Sequence, residues 1–199
     1  LLGFRERAYL GEESRFSLPF PVDEDDTRYE SDQEDQHIDY ALRYSGYAGF
    51  MDYGLSWFKG TGREPLFQPK APGSPIWVPY YQQIERVGLD VQYTVDAWLW
   101  KFEAVHQESQ FAPFKAMVGG LEYTFFNMQE GAYDLGLLAE YSYNSLDDVP
   151  ALVFLQNDLF LGMRFGFTDA ASSAILAGGY IDLDDDSQVF RVEASRRVF

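Results

Sequence analysis

The sequence predicts an all-β protein, an antiparallel up-and-down transmembrane β-barrel of about ten strands, and three observations carry that prediction. Apolar and polar residues alternate with a period of two through segment after segment. The connections between those segments alternate between short and long. No stretch approaches the ~20 consecutive apolar residues of a membrane-spanning helix.

The alternation is cleanest in Asp158–Phe167. Leu159, Leu161, Met163, Phe165 and Phe167 fall on one parity, and Asp158, Phe160, Gly162, Arg164 and Gly166 on the other. As a strand this gives one greasy face and one face of charge and glycine; as a helix it gives no stripe. Its roughly ten residues match a strand that crosses a bilayer at a tilt.

Taken in order, Leu1–Leu10 reads as a strand end, with Leu2, Phe4, Ala8 and Leu10 opposed to Arg5, Arg7 and Tyr9. Residues 11–36 carry Glu12, Glu13, Asp23, Glu24, Asp25, Asp26, Glu30, Asp32, Glu34 and Asp35 against Arg15 and Arg28, a composition that resists packing and is expected in water. Strands then come in pairs. Ile38, Tyr40, Leu42 and Tyr44 are followed, after a connection at Gly46–Asp52, by Tyr53, Leu55 and Trp57. Residues 60–79 contain Pro65, Pro69, Pro72, Gly73, Pro75 and Pro79 and read as a second long loop. Val87–Tyr93 and Trp98–Ala104 turn near Asp96, Met117–Phe125 and Tyr133–Tyr143 near 128, and Asp158–Phe167 and Ala174–Ile181 through Thr168–Ser172. Gln188–Val198 is the last strand. Connections near 49, 96, 128 and 170 are short, whereas 11–36, 60–79, 107–114 and 145–157 are longer, as in barrels with short periplasmic turns and long extracellular loops. Only Asp182–Ser187 is shorter than its side demands. The expectation is one domain, 1–199, with 11–36 and 60–79 as extracellular loops.

Composition narrows the function. Aromatic residues make up 18% of the chain, with 14 Tyr and 17 Phe, which suits the interfacial girdles of a barrel. Mean hydropathy of -0.28 is compatible with this, because only alternate residues meet lipid. A net charge of -17 argues against nucleic acid as a partner. The absence of cysteine removes disulfides, zinc-thiolate sites and thiol catalysis. An exported protein needs a signal peptide and none is present, so the chain, beginning at Leu1, is expected to lack its natural start.

The charged residues of the polar parity form the candidate site. Arg43, Arg86, Lys101, Arg164 and Arg191 stand with Asp90, Glu103, Glu122, Glu140 and Asp158, and Asp39, Asp134 and Glu193 share that parity. In a barrel they face the lumen, because Arg or Lys facing lipid at the midplane costs ~2–4 kcal/mol. They either line a pore that selects solutes by charge or neutralise one another in a filled interior, with Asp158 or Glu140 as partners for Arg164. Asp182, Asp184 and Asp186, with Asp185, place hard oxygen donors on one turn that suit Ca2+, although the spacing lacks the glycine and distal glutamate of an EF-hand loop. Divalent ions at such loops would bridge to lipopolysaccharide phosphates. No catalytic motif is present, and no enzyme activity is expected. The alternatives are a surface hydrolase using His37 and Asp39 as a general base, or a structural or adhesive barrel. Trp57, Trp98 and Trp100 are expected as interfacial anchors rather than sugar platforms.

Three short motifs, Phe4-Arg5-Glu6-Arg7, Gly62-Arg63-Glu64-Pro65 and Glu193-Ala194-Ser195-Arg196-Arg197, accompany this strand pattern. On them the whole chain resembles Gram-negative outer-membrane β-barrel, porin-like proteins, within a poorly characterised proteobacterial group. The resemblance implies diffusion of small hydrophilic solutes across the outer membrane, with the lipid bilayer and lipopolysaccharide as partners and no cofactor. Such barrels end in an aromatic on the lipid-facing parity, but Phe199 shares parity with Arg191, Glu193, Ser195 and Arg197. The chain is therefore expected to be a piece of a larger barrel.

Overall fold

A computed structural model describes residues 4–9, 18–111, 113–146 and 156–198. Leu2, Leu10, Glu12, Glu13, Arg15, Phe199 and residues 147–155 of the 145–157 connection lie outside the described residues. The chain is all-β. Its strands are β1 Arg28–Tyr29, β2 Tyr40–Ala48, β3 Met51–Thr61, β4 Leu66–Pro69, β5 Trp77–Tyr81, β6 Gln83–Val95, β7 Trp98–Ser109, β8 Phe114–Asn127, β9 Tyr133–Asn144, β10 Asn157–Phe167, β11 Ala174–Asp182 and β12 Gln188–Ser195. One short helix, Met128–Gly131, links β8 and β9.

Nine strands form one sheet in the order β12-β11-β10-β9-β8-β7-β6-β3-β2. Neighbours run antiparallel, as in Leu161↔Ala139 between β10 and β9 or Met163↔Ala177 between β10 and β11. The order is linear, and among the described residues no pairing joins β2 to β12, so closure into a barrel is not part of what is observed. Every strand pair read from the sequence is present. The hairpin bends fall where backbone sterics allow them: Gly49 (φ 63), Asp96 (φ 51), Asn127 (φ 56) and Ser172 (φ 49) take left-handed conformations. Gly, Asn and Asp reach these at small cost.

Four expectations are corrected. Residues 4–9 are not a strand; Phe4 packs edge-on against Tyr81 at 5.0 Å and Tyr29 at 5.8 Å, and the Arg7 amide donates to the Tyr81 hydroxyl at 2.7 Å. The acidic segment is not simply solvated, because its described part folds. Val22 and β1 run parallel to β5, through Val22↔Trp77, Arg28↔Tyr80 and Tyr29↔Tyr81, with turns at Glu24–Asp26 and Glu34–Gln36. Phe20, Val22 and Tyr29 supply the apolar anchors, and Arg28 and Lys70 pair with the acids Asp26 and Asp23. The proline-rich stretch 60–79 is likewise not a loop but the β4–β5 hairpin of a second, three-stranded sheet ordered β1-β5-β4. Alternate β5 amides point the same way; that of Trp77 goes to Pro21, and residue 79 faces the stretch where Glu24–Asp26 turns out of the ladder. A proline there forfeits no bond. The connection after β7 also proves short, residues 110–113.

Contacts divide the chain into two compact units: Leu1–Leu42, Trp57–Val87 and Gln107–Pro113 form one, and Arg43–Ser56, Gly88–His106 and Phe114–Phe199 the other. The first has a water-type core around the fully buried Val78 and Tyr81, with Tyr81 stacked on Tyr29 at 5.5 Å. Burying a ring of that size stabilises by roughly 2–3 kcal/mol. The second consists of long hairpins whose two faces differ in chemistry, and it holds most of the candidate residues.

Candidate functional site: the polar face of the nine-stranded sheet

On β8–β12 the registers lay the apolar parity out as one continuous surface. Leu121, Ala139, Leu161, Gly179 and Phe190 lie side by side across five strands, as do Tyr123, Leu137, Met163, Ala177 and Val192. This face is bare: Leu161 is 49% exposed, Met163 45% and Phe190 80%. The opposite parity is covered in places, with Asp158 and Phe160 only 5% and 7% exposed, but the Arg164 side chain stays half-exposed and both faces of the edge strand β12 are exposed. Aromatic side chains gather where the strands meet their short turns. Trp98 stacks with Trp100 at 5.7 Å and meets Tyr123 edge-on at 4.7 Å, Tyr123 meets Phe125 at 4.8 Å, and Tyr133 packs on Phe165 at 5.7 Å.

Glycines shape the polar face. A Cβ on Gly54 of β3 would run into the Arg43 guanidinium and, at 2.6 Å, both oxygens of Asp90. Those two side chains come from β2 and β6 on either side and pair over the glycine at 2.8 Å. The device recurs four strands on. Glu122 of β8 and Arg164 of β10 pair at 3.3 Å across Gly136 of β9, whose Cβ would stand 2.5 Å from Oε1 of Glu122. Side chains two strands apart lie ~10 Å apart at their roots, and a missing side chain between them lets both lean inward. Gly178 of β11 is used differently: with Gly162 it accommodates the Phe160 ring, which packs on Tyr180 at 4.7 Å.

The remaining candidates are placed as follows. Arg86 donates from Nε to the Gln107 amide oxygen at 3.0 Å, and Arg191 pairs with Glu193 at 2.7 Å. Asp158 accepts from the Gln156 amide at 2.8 Å, with Ser142 and Asp182 opposite it on the flanking strands. Glu103 is exposed on β7. Lys101, Glu122, Glu140, Arg164 and Arg191 converge on a cleft of about 200 Å³ in the polar face, walled also by Phe160 and Tyr180. Asp158 and Glu140, expected as partners of Arg164, are not its partners; Glu122 is.

At the acidic turn, the Asp182 carboxylate accepts the backbone amides of Asp184 (2.8 Å) and Asp185 (3.2 Å), Asp184 accepts from Asn157 at 2.8 Å, and Asp186 takes φ 61. Asp182 and Asp184 thus act as turn acceptors, and among the described residues no three His, Asp or Glu side chains are grouped to hold a metal ion. The Asp185 carboxyl is held below its usual range by the Ser187 amide. His37 reaches Asp39 at 3.1 Å, but Asp39 also accepts from the Thr61 amide at 2.8 Å and from Arg63 at 2.9 Å, so it ties the end of β3 to its neighbours. The Trp57 indole donates to Glu85 at 2.9 Å.

Parity alone found the charged set. It placed Gly54, Gly120, Gly136 and Phe160 on the same parity but gave them no role, because that role depends on which strand neighbours which. Comparison with protein-family models, curated proteins and solved structures finds no match.

Proposed function

We propose that this chain is an outer-membrane β-barrel protein of the porin-like kind, a channel through which small hydrophilic solutes diffuse past the charged face described above. One observation supports it above the others: strands β8–β12 lay a continuous face of Leu, Met, Phe and Tyr bare, with Leu161 and Met163 at its centre, and carry their charges on the other face. Water would drive the reverse arrangement, whereas lipid accepts it. Unpaired strand edges are not tolerated in hydrocarbon, so in this reading the edges β2 and β12 are satisfied by completion of the ladder into a ring in the membrane. The aromatic clusters at the short turns then sit at an interface, and lipopolysaccharide and bilayer are the immediate surroundings. Arg43, Asp90, Lys101, Glu122, Glu140, Arg164 and Arg191 line the path.

The glycine-bridged ion pairs favour a second reading, a structural barrel whose interior is filled by neutralised charge. Reconstitution into planar bilayers separates the two. Stepwise conductance is expected of the channel, and Arg164→Glu, which sets two carboxylates against each other across Gly136, should lower anion relative to cation permeation. Correctly inserted protein that never conducts, with Arg164→Glu losing its heat-modifiable folded band, sinks the channel.

A further inference from the structure

The pattern of a cation and an anion flanking a glycine occurs a third time, and there it is open. Gly120 of β8 lies directly opposite Glu140 of β9. On its other side Gly119 sits beside Phe102, and the Thr124 amide donates to the Ala97 carbonyl, which sets Lys101 of β7 beside Gly120. The Glu140 stem leans over Gly120, with Cβ and Cγ 3.3 Å from where a Cβ would be. In the two closed cases the opposite charges meet, at 2.8 Å and 3.3 Å. Lys101 and Glu140 do not.

Of the five charged side chains that line the cleft among the described residues, three are committed: Glu122 with Arg164, and Arg191 with Glu193. What remains is one ammonium and one carboxylate, about 10 Å apart at their roots by the ~4.8 Å spacing of neighbouring strands, over a floor with no side chain. We propose that Lys101 and Glu140 form a binding site for small zwitterions, molecules carrying an ammonium and a carboxylate a few ångströms apart. The ligand carboxylate is taken by Lys101 and its ammonium by Glu140, with Gly120 leaving room between. A neutral solute of the same size gains neither contact. An anion meets Glu140, and a cation meets Lys101. The site deepens the channel reading, on which its access to solute rests.

The test uses the refolded chain in detergent, with alanine as the zwitterion and lactamide as an uncharged molecule of the same size. Binding is read by saturation-transfer NMR, and conductance is read on the same preparation. Alanine is expected to bind saturably and at least tenfold more tightly than lactamide. Lys101→Met and Glu140→Gln should each lose at least tenfold, and the exchanged double variant Lys101→Glu/Glu140→Lys should recover most of it. If the single variants fail to show a heat-modifiable folded band, the double variant carries the test. Alanine bound no better than lactamide, or bound equally by wild type and folded variants, overturns the site. Conductance without zwitterion binding removes the site and keeps the channel, whereas zwitterion binding by a non-conducting protein does the opposite.

Discussion

The small sheet β1-β5-β4 and the strands β8–β12 follow opposite rules with the same residue types. In the small sheet Tyr81 and Val78 are fully buried and the charges, such as Lys70 with Asp23, are on the outside. In β10 Leu161 and Met163 are bare while Asp158 is covered, as is Glu122 on β8; on the edge strand β12 both faces are exposed. A chain cannot satisfy both rules in one solvent, because the free energy of removing apolar surface from water has one sign. The contrast is what a protein meeting water in one part and hydrocarbon in another would show, and each test below is aimed at one side of it.

The largest effect is expected in the small sheet. Tyr81→Ala removes a fully buried ring that also accepts the Arg7 amide, and should cost roughly 3–5 kcal/mol in a urea titration followed by aromatic circular dichroism. Leu161→Ala, read in detergent, should cost far less; equal costs would erase the contrast.

Next comes a charge placed on either face at one height. Leu161 lies on the bare face of β10, and Leu138 on the cleft face of β9, directly opposite Gly162 and Glu122. Leu161→Arg should lower folding into lipid vesicles by ~2–4 kcal/mol. Leu138→Arg falls between Glu122 and Glu140 and should lose much less. A larger loss for Leu138→Arg would mean the faces have been assigned the wrong way round.

Gly136→Ala is smaller again. Its methyl displaces the Glu122 carboxylate from Arg164, a crowding effect of about 1–3 kcal/mol. Adding Glu122→Gly to it should restore folding but not the ion pair, and failure of that rescue would deny the glycine its role as the gap over which the two charges meet.

The smallest is the pH dependence of the water-facing parts. The Lys70 ammonium holds the Asp23 carboxyl below its usual range, and the Ser173 hydroxyl and amide hold Asp169 below it at the β10–β11 turn. A depressed carboxyl contributes stability above its unfolded value of roughly 3.9 and loses it as pH falls through the folded one. The urea midpoint of the small sheet should therefore drop between pH 5 and pH 3, and Asp23→Asn should flatten that slope.

The nine long strands were legible because their period of two persists over ten residues, and a half-exposed strand declares itself in no other way. The small sheet was not. Its strands are two to five residues long, Pro69 and Pro79 sit inside them, and β1 is embedded among acids whose partners, Lys70 above all, lie some forty residues away. The charged face could be read from parity, but Glu122 as the partner of Arg164 could not, since the choice depends on a glycine in the strand between. Closure of the sheet is not observed among the described residues, and whether the edges β2 and β12 pair is nothing that alternation within a strand encodes.

The most direct test of the central claim uses the absence of cysteine, which makes single-site labelling unambiguous. Nitroxides placed one at a time along residues 159–166 of the vesicle-reconstituted protein report access to oxygen, which concentrates in lipid, and to a water-soluble nickel chelate. Oxygen access should peak at 159, 161, 163 and 165 and chelate access at the residues between, damped only where Phe160 is packed away. Uniform access with no period of two, or chelate access highest at 161 and 163, would show that the bare face meets water, and the membrane account would be wrong.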